Sequence, residues 1–260
     1  MEKLYPLFWF ILGMIVARLI LVFSRNHKSV PKNEPGSVDP DEFTEPVIKA
    51  ENVLVKTTED SSNAIIMISK AYYLGISGFH SENMKLLEEI ETEIEEFNQR
   101  ARRLKANTYR IIQQLQHDSI DTGHYYVQIV DYLREMAHSI KYVVRPLQEH
   151  LINNHKPFAE EQNAELGEFS NQVSDFLNFA LHIIKESRFE QIEELIQKRK
   201  DILELMREQE KRQIRRIKKK ETNSRNSVLY FGLMSETKHL LLQTVNLLKA
   251  TRDFVSYTKS

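Results

Sequence analysis

The chain opens on an apolar run and then changes character. Residues Leu4 to Phe23 read LYPLFWFILGMIVARLILVF, twenty positions with a single charge, Arg18. Apolar side chains would run all round a helix here, and about twenty residues cross a hydrocarbon core of about 30 Å. The pattern predicts an N-terminal transmembrane helix, residues 1–24. From 25 to about 60 the periodicity fades and Pro31, Pro35, Pro40 and Pro46 crowd together, which predicts a polar, extended tether. Beyond it, apolar positions recur in steps of three and four. One stripe runs Leu87, Ile90, Ile94, Phe97, Ala101, Leu104, Thr108, Ile111, Leu115. A second runs Val130, Leu133, Ala137, Ile140, Val144, Leu147, Leu151, and a third Leu166, Phe169, Val173, Phe176, Ala180, Ile183. The last helix carries a broad stripe including Leu233, Leu240, Leu241, Val245, Leu248 and Phe254. This spacing gives each helix one apolar face. Turn residues at 78–81, 118–123, 153–157, 187–188 and 222–224 then divide the stretch into helices near 62–77, 82–116, 122–152, 159–186, 189–221 and 225–257. The fold class read this way is all-α.

The six helices fall into two sets of three in the same order. A shift of 104 residues lays Tyr126 on Tyr230, Ile129 on Leu233, Ile140 on Thr244 and Val143 on Leu247. Two tandem three-helix units, about 61–153 and 157–258, fit this register. The short breaks favour antiparallel packing within the chain. A continuous parallel coiled-coil dimer is the alternative.

Composition agrees with long helices: Gly and Pro number seven each, and apolar residues make up 41% against 28% charged. There is no Cys, which excludes disulfides and thiolate metal sites. A net charge of −1 gives no bulk attraction to nucleic acid, so no nucleic-acid partner is expected. Arg25, Lys28 and Lys32 follow the apolar run, whereas Lys3 alone precedes it beside Glu2. The positive-inside rule then places the C-terminal bulk in the cytoplasm, behind a single span. Arg18 can snorkel to the headgroups or pair with another membrane protein. Gly13 and Ala17 form a small face that admits a close helix partner.

Few side chains suggest chemistry. Asp131, Glu135 and His138 share one helical face, and Glu236 with His239 repeats the Glu-x-x-His spacing on the last helix. Two such helices suit a di-metal site in a bundle, so a divalent metal is one reading of these five residues. Polar residues bordering an apolar stripe is the other. His117, Asp118, Asp121 and His124 crowd one turn, where an acid at 118 or 121 can cap the next helix. The run KRQIRRIKKK puts Arg212, Arg215, Arg216, Lys218, Lys219 and Lys220 at a helix C-terminus, which favours cations and could meet an anionic ligand or membrane lipid. No phosphate-cradling Gly-rich loop and no nucleophile elbow is present, so no enzyme is expected and no catalytic residue or cofactor is assigned.

The segments DSIDTGHYYVQIVDYLREMAHSIKYVVRPLQEH, NNHKP and SVLYFGLMSETKHLLLQTVNLLKATRDF carry a resemblance. Over roughly residues 60–257 the chain resembles the PhoU-like C-terminal cytosolic domain of Bacteroidetes-type PiT inorganic phosphate transporters. The resemblance implies two three-helix units, a regulatory or accessory role in phosphate transport, and a membrane phosphate transporter domain or sensor as partner. It also implies a bacterial inner (cytoplasmic) membrane location and admits a homo-oligomer. The sequence departs from the pattern in two ways. The many spans and signature motifs of PiT transporters are missing, so the one apolar run looks like the last membrane helix of a transporter whose other helices are not in this chain. The acid-xxx-acid metal positions of PhoU proteins fall on Arg134 and His138 in the first unit and on Lys238 and Leu242 in the second, and neither a basic nor an apolar residue replaces a carboxylate around a hard cation. The expectation is a membrane-anchored cytosolic module acting by protein docking; a coiled-coil scaffold and a di-metal bundle are the alternatives.

Overall fold

A computed structural model of the chain describes residues 48–115 and 120–259. All of them lie in the unit Glu45–Ser260. The apolar run with Gly13, Ala17 and Arg18, most of the tether, and His117 and Asp118 lie outside the described residues. Among the described residues no helix is long and apolar enough to cross a membrane.

Six helices follow one another: α1 (Ala50–His80), α2 (Met84–Gln114), α3 (Ile120–Ile152), α4 (Glu160–Lys185), α5 (Ile192–Lys218) and α6 (Ser224–Lys259). A short 3-10 turn, Phe189–Gln191, leads into α5. The stripes read from the sequence are the buried faces. Leu87, Ile90 and Ile94 of α2, Ile140, Val144 and Leu147 of α3, and Phe169, Val173 and Phe176 of α4 are all at most 2% exposed. Each such side chain contributes about 1.5–3 kcal/mol by leaving water.

One expectation needs correction. The tether does not extend to 60, because α1 begins at Ala50, about three turns before the expected start. Thr57, Ser61 and Ser62 occupy its inward face, and their hydroxyls donate to the carbonyls of Val53, Thr57 and Thr58 one turn back. A hydroxyl satisfied by its own helix can be buried at little cost, so the face is buried without being apolar. Immediately before α1 the chain pairs with the end of α2: the Ile48 N–H donates to the Gln114 carbonyl at 2.7 Å, making a one-residue parallel bridge to Leu115.

Within each half the helices pack on one another, α1 with α2 and α3, and α4 with α5 and α6. The halves meet along a seam in which α3 lies on α6 and α1 on α4. The helices therefore find their partners inside the chain. The Tyr72 and Thr237 hydroxyls bond across the seam at 2.9 Å, both fully buried. Tyr72 also meets Phe169 edge to face, with ring centroids 6.4 Å apart. Gly75 marks the closest approach of α1 to α3, since a Cβ there would come within 2.8 Å of Val144 Cγ2.

Four of the turns end the preceding helix in the same way. Glu82, Asn154, Ser187 and Lys220 adopt φ values of 52°, 49°, 53° and 59°. In each, the following N–H reaches back to a carbonyl five residues earlier: Asn83 to Gly78, His155 to His150, Arg188 to Ile183 and Glu221 to Arg216, at 2.8 to 3.1 Å. This is the left-handed helix stop that glycine fills without strain, yet none of the four is glycine. Ser187→Gly should therefore raise stability by about 0.5–1 kcal/mol, since relief of left-handed strain exceeds the added chain entropy. Urea unfolding of the variant beside the parent checks this.

Candidate functional site

The five residues considered for a metal lie on α3 and α6, and Asp131, Glu135, His138 and His239 each meet another partner. Asp131 faces Lys105 of α2 at 2.6 Å, and Glu135 takes the guanidinium of its neighbour Arg134 at 2.9 Å. His138 is exposed and lies against the Tyr142 ring, centroids 4.4 Å apart. His239 is held at both ring nitrogens, Nδ1 by Ser139 at 2.9 Å across the seam and Nε2 by Gln243 at 2.8 Å. Glu236 is half-buried on α6. Among the described residues no three His, Asp or Glu side chains gather in a way that could hold a metal ion. Two of the positions where the sequence resemblance expects carboxylates hold cations in ion pairs: Arg134 with Glu135 at 2.9 Å and Lys238 with Glu210 of α5 at 2.6 Å.

The basic run divides into two parts. Arg212, Arg215, Lys218, Lys219 and Lys220 are exposed at the end of α5, and Ile214 and Ile217 stand among them at 46% and 42% exposure. Arg216 turns inward. Its guanidinium meets Glu165 of α4 at 2.5 Å, with Arg212 on the same oxygen at 3.2 Å. The other Glu165 oxygen accepts from the Tyr230 hydroxyl of α6 at 2.7 Å. Gln162 donates to Gln213, which donates to Ser227, so three helices share one buried polar seam. Burial alone would lower the Arg216 pKa, but the hydrogen bond and charge of Glu165 outweigh it and raise the pKa. Burial, reinforced by Glu165, pushes the Tyr230 phenol far above its ordinary range. The arrangement fixes α4, α5 and α6 to one another and presents no nucleophile to solvent.

The first half holds a looser counterpart. Asp60 of α1 and Arg100 of α2 line a cleft of about 200 Å³ with Asn63, Glu93, Glu96 and Phe97. Glu93 is paired with Lys70 at 2.7 Å. Tyr126, the residue that a 104-residue shift lays on Tyr230, is buried nearby, and its pKa is raised by burial and then by the Asp60 charge. Desolvation lifts the Asp60 carboxyl above its ordinary value of 3.8, against the pull of Lys56 and Arg100. An acid whose folded pKa is raised weakens folding as pH rises through that range. Asp60→Asn should accordingly stabilise the protein at neutral pH, with the gain vanishing below about pH 4, a trend that thermal melts across pH will show.

The sequence did not mark Glu165 as the partner of Arg216 and Tyr230, because it stands 51 and 65 residues from them and leaves no local spacing to read. No family profile and no curated protein matches the chain. Among solved structures, the chain is similar to the phosphate transport system regulatory protein PhoU from Streptococcus pneumoniae, at a TM-score of 0.63 and 13% identity, covering 80% of this chain and 97% of that one. The described helices thus adopt the six-helix fold of PhoU.

Proposed function

We propose that the chain is a membrane-anchored regulatory module of inorganic phosphate transport, acting by docking its helical bundle on the cytosolic face of a transporter or sensor. The observation that carries this reading is the fold shared with a phosphate transport regulator over 80% of the chain. The apolar run at 4–23 supports an inner-membrane anchor, with Gly13, Ala17 and Arg18 as the face toward a membrane partner. The exposed cations Arg212, Arg215, Lys218, Lys219 and Lys220, interleaved with Ile214 and Ile217, suit contact with anionic lipid or an acidic partner surface. A docking module regulates only if its affinity differs between two states of the partner.

Deleting the gene and following phosphate uptake and its repression tests the reading. Altered uptake or altered repression is the expected result, and unchanged values for both would sink it. A scaffold role as a parallel coiled-coil dimer is disfavoured by the packing of all six helices within one chain.

A further inference from the structure

At the junction of the α3–α4 turn with the start of α6, a pocket of about 410 Å³ opens between Glu149, His150, His155, Arg225, Val228 and Leu229. That volume lies within the range of small-molecule sites. The Arg225 guanidinium donates through Nη1 to His155 Nε2 at 2.9 Å. A guanidinium can only donate, so Nε2 is the acceptor in this contact and the ring's Nδ1 is left for a proton. Among the described residues no carboxylate lies within ion-pair distance of Arg225: the one acid lining the pocket, Glu149, is taken by Arg145 at 2.8 Å. Behind His155 stands His150, 4% exposed, bonded through Nε2 to the Lys156 carbonyl at 3.0 Å. The two imidazoles meet edge to face, ring centroids 5.2 Å apart, and Phe79 and Phe158 press on His150 from the core. Val228, 72% exposed, supplies an apolar wall.

We infer that this pocket binds a phosphate monoester carried on an apolar body, with Arg225 and His155 gripping the phosphate and Val228 covering the body. A guanidinium offers five donors in a planar fork and suits a phosphate dianion. On binding, the dianion accepts the Nη1–H that His155 now holds. His155 then gains a proton from solvent at Nε2 and becomes a second donor to the phosphate. The groups facing this proton are Glu149 and His150 of α3 and Arg225 of α6. Glu149 is neutralised by Arg145, and burial holds the His150 pKa below its ordinary value, which disfavours a second positive charge beside His155. Ligand binding therefore takes up one proton and strengthens as pH falls. The site is separate from the docking surface proposed above and does not depend on that reading.

Calorimetric titration of the full-length chain with phenyl phosphate, at about pH 6 and about pH 8 in buffers of different ionisation enthalpy, tests the inference. Saturable binding, tighter at the lower pH and accompanied by proton uptake, is expected. Arg225→Gln should weaken it by about tenfold or more, His155→Gln should abolish the proton uptake, and Arg103→Gln on exposed α2 should change neither. Inorganic phosphate should bind several-fold more weakly than phenyl phosphate. Absence of saturable heat up to about 10 mM ligand overturns the proposal, as does binding that Arg225→Gln leaves intact or that inorganic phosphate matches. Given phenyl phosphate binding, its displacement by phosphatidic-acid vesicles assigns the monoester to a lipid headgroup. Retention in their presence assigns it to a soluble ester.

Discussion

Arg216→Met should cost about 3–5 kcal/mol of unfolding free energy, the largest loss expected from any change in the basic run. The guanidinium is 12% exposed and its Glu165 partner 9%, so deleting the cation strands a carboxylate in a desolvated setting. Arg212, 45% exposed and 3.2 Å from the same oxygen, screens it only in part. The double change Arg216→Met with Glu165→Leu should recover much of the loss, because removing both charges removes the burial penalty. Recovery will be incomplete, since the Tyr230 hydroxyl then loses its acceptor. Urea unfolding of the parent, the single variants and the double variant measures the coupling directly. By contrast, Lys218→Met, on an exposed side chain, should shift stability by less than about 0.5 kcal/mol.

Phe169→Ala should cost about 3–5 kcal/mol as well, through a different mechanism. The ring is 1% exposed and packs edge to face with Tyr72, so truncation leaves a cavity at the seam between α4 and α1. If the halves were independent domains, the loss would appear only in a transition belonging to residues beyond 157. The seam joins α3 to α6 and α1 to α4, so both halves should melt in a single transition that moves as a whole. Circular dichroism and intrinsic tyrosine fluorescence should therefore give coincident curves for parent and variant.

Much of this architecture was readable because a helix buries one face at fixed spacing. The four stripes from Leu87 to Phe254 needed nothing beyond local sequence. The start of α1 was not readable, because Thr57, Ser61 and Ser62 hide their polarity in hydrogen bonds to their own helix. Thr237, Thr244 and Thr251 do the same on α6, each bonded one turn back and each fully buried, but there Leu and Val neighbours kept the stripe visible. The polar sites were less legible. Spacing placed Glu135 and His138 one turn apart on a helix, but it could not show that Arg134 would claim the glutamate or that His239 would be held from across the seam. Arg216 read as one cation among six. Only the approach of α4, carrying Glu165 from far along the chain, separates it from its exposed neighbours. The pairing of His155 with Arg225, 70 positions apart, was invisible for the same reason.

The seam also bears on how fast the chain reaches this arrangement. Its cross-links join Tyr72 to Thr237 and Ser139 to His239, partners 165 and 100 residues apart. Helices form in about a microsecond or less and three neighbouring helices can collapse locally, but contacts across such separations must first close long loops. The three-helix halves should thus assemble early and their mutual recognition come late, giving a slower folding rate than helix content alone would suggest. During that interval each half displays the apolar faces of α1 and α3 or of α4 and α6, surfaces that a neighbouring chain's halves could also satisfy. At high concentration, refolding therefore risks exchange of halves between molecules, a hazard set by the order in which contacts close rather than by the stability of the finished bundle.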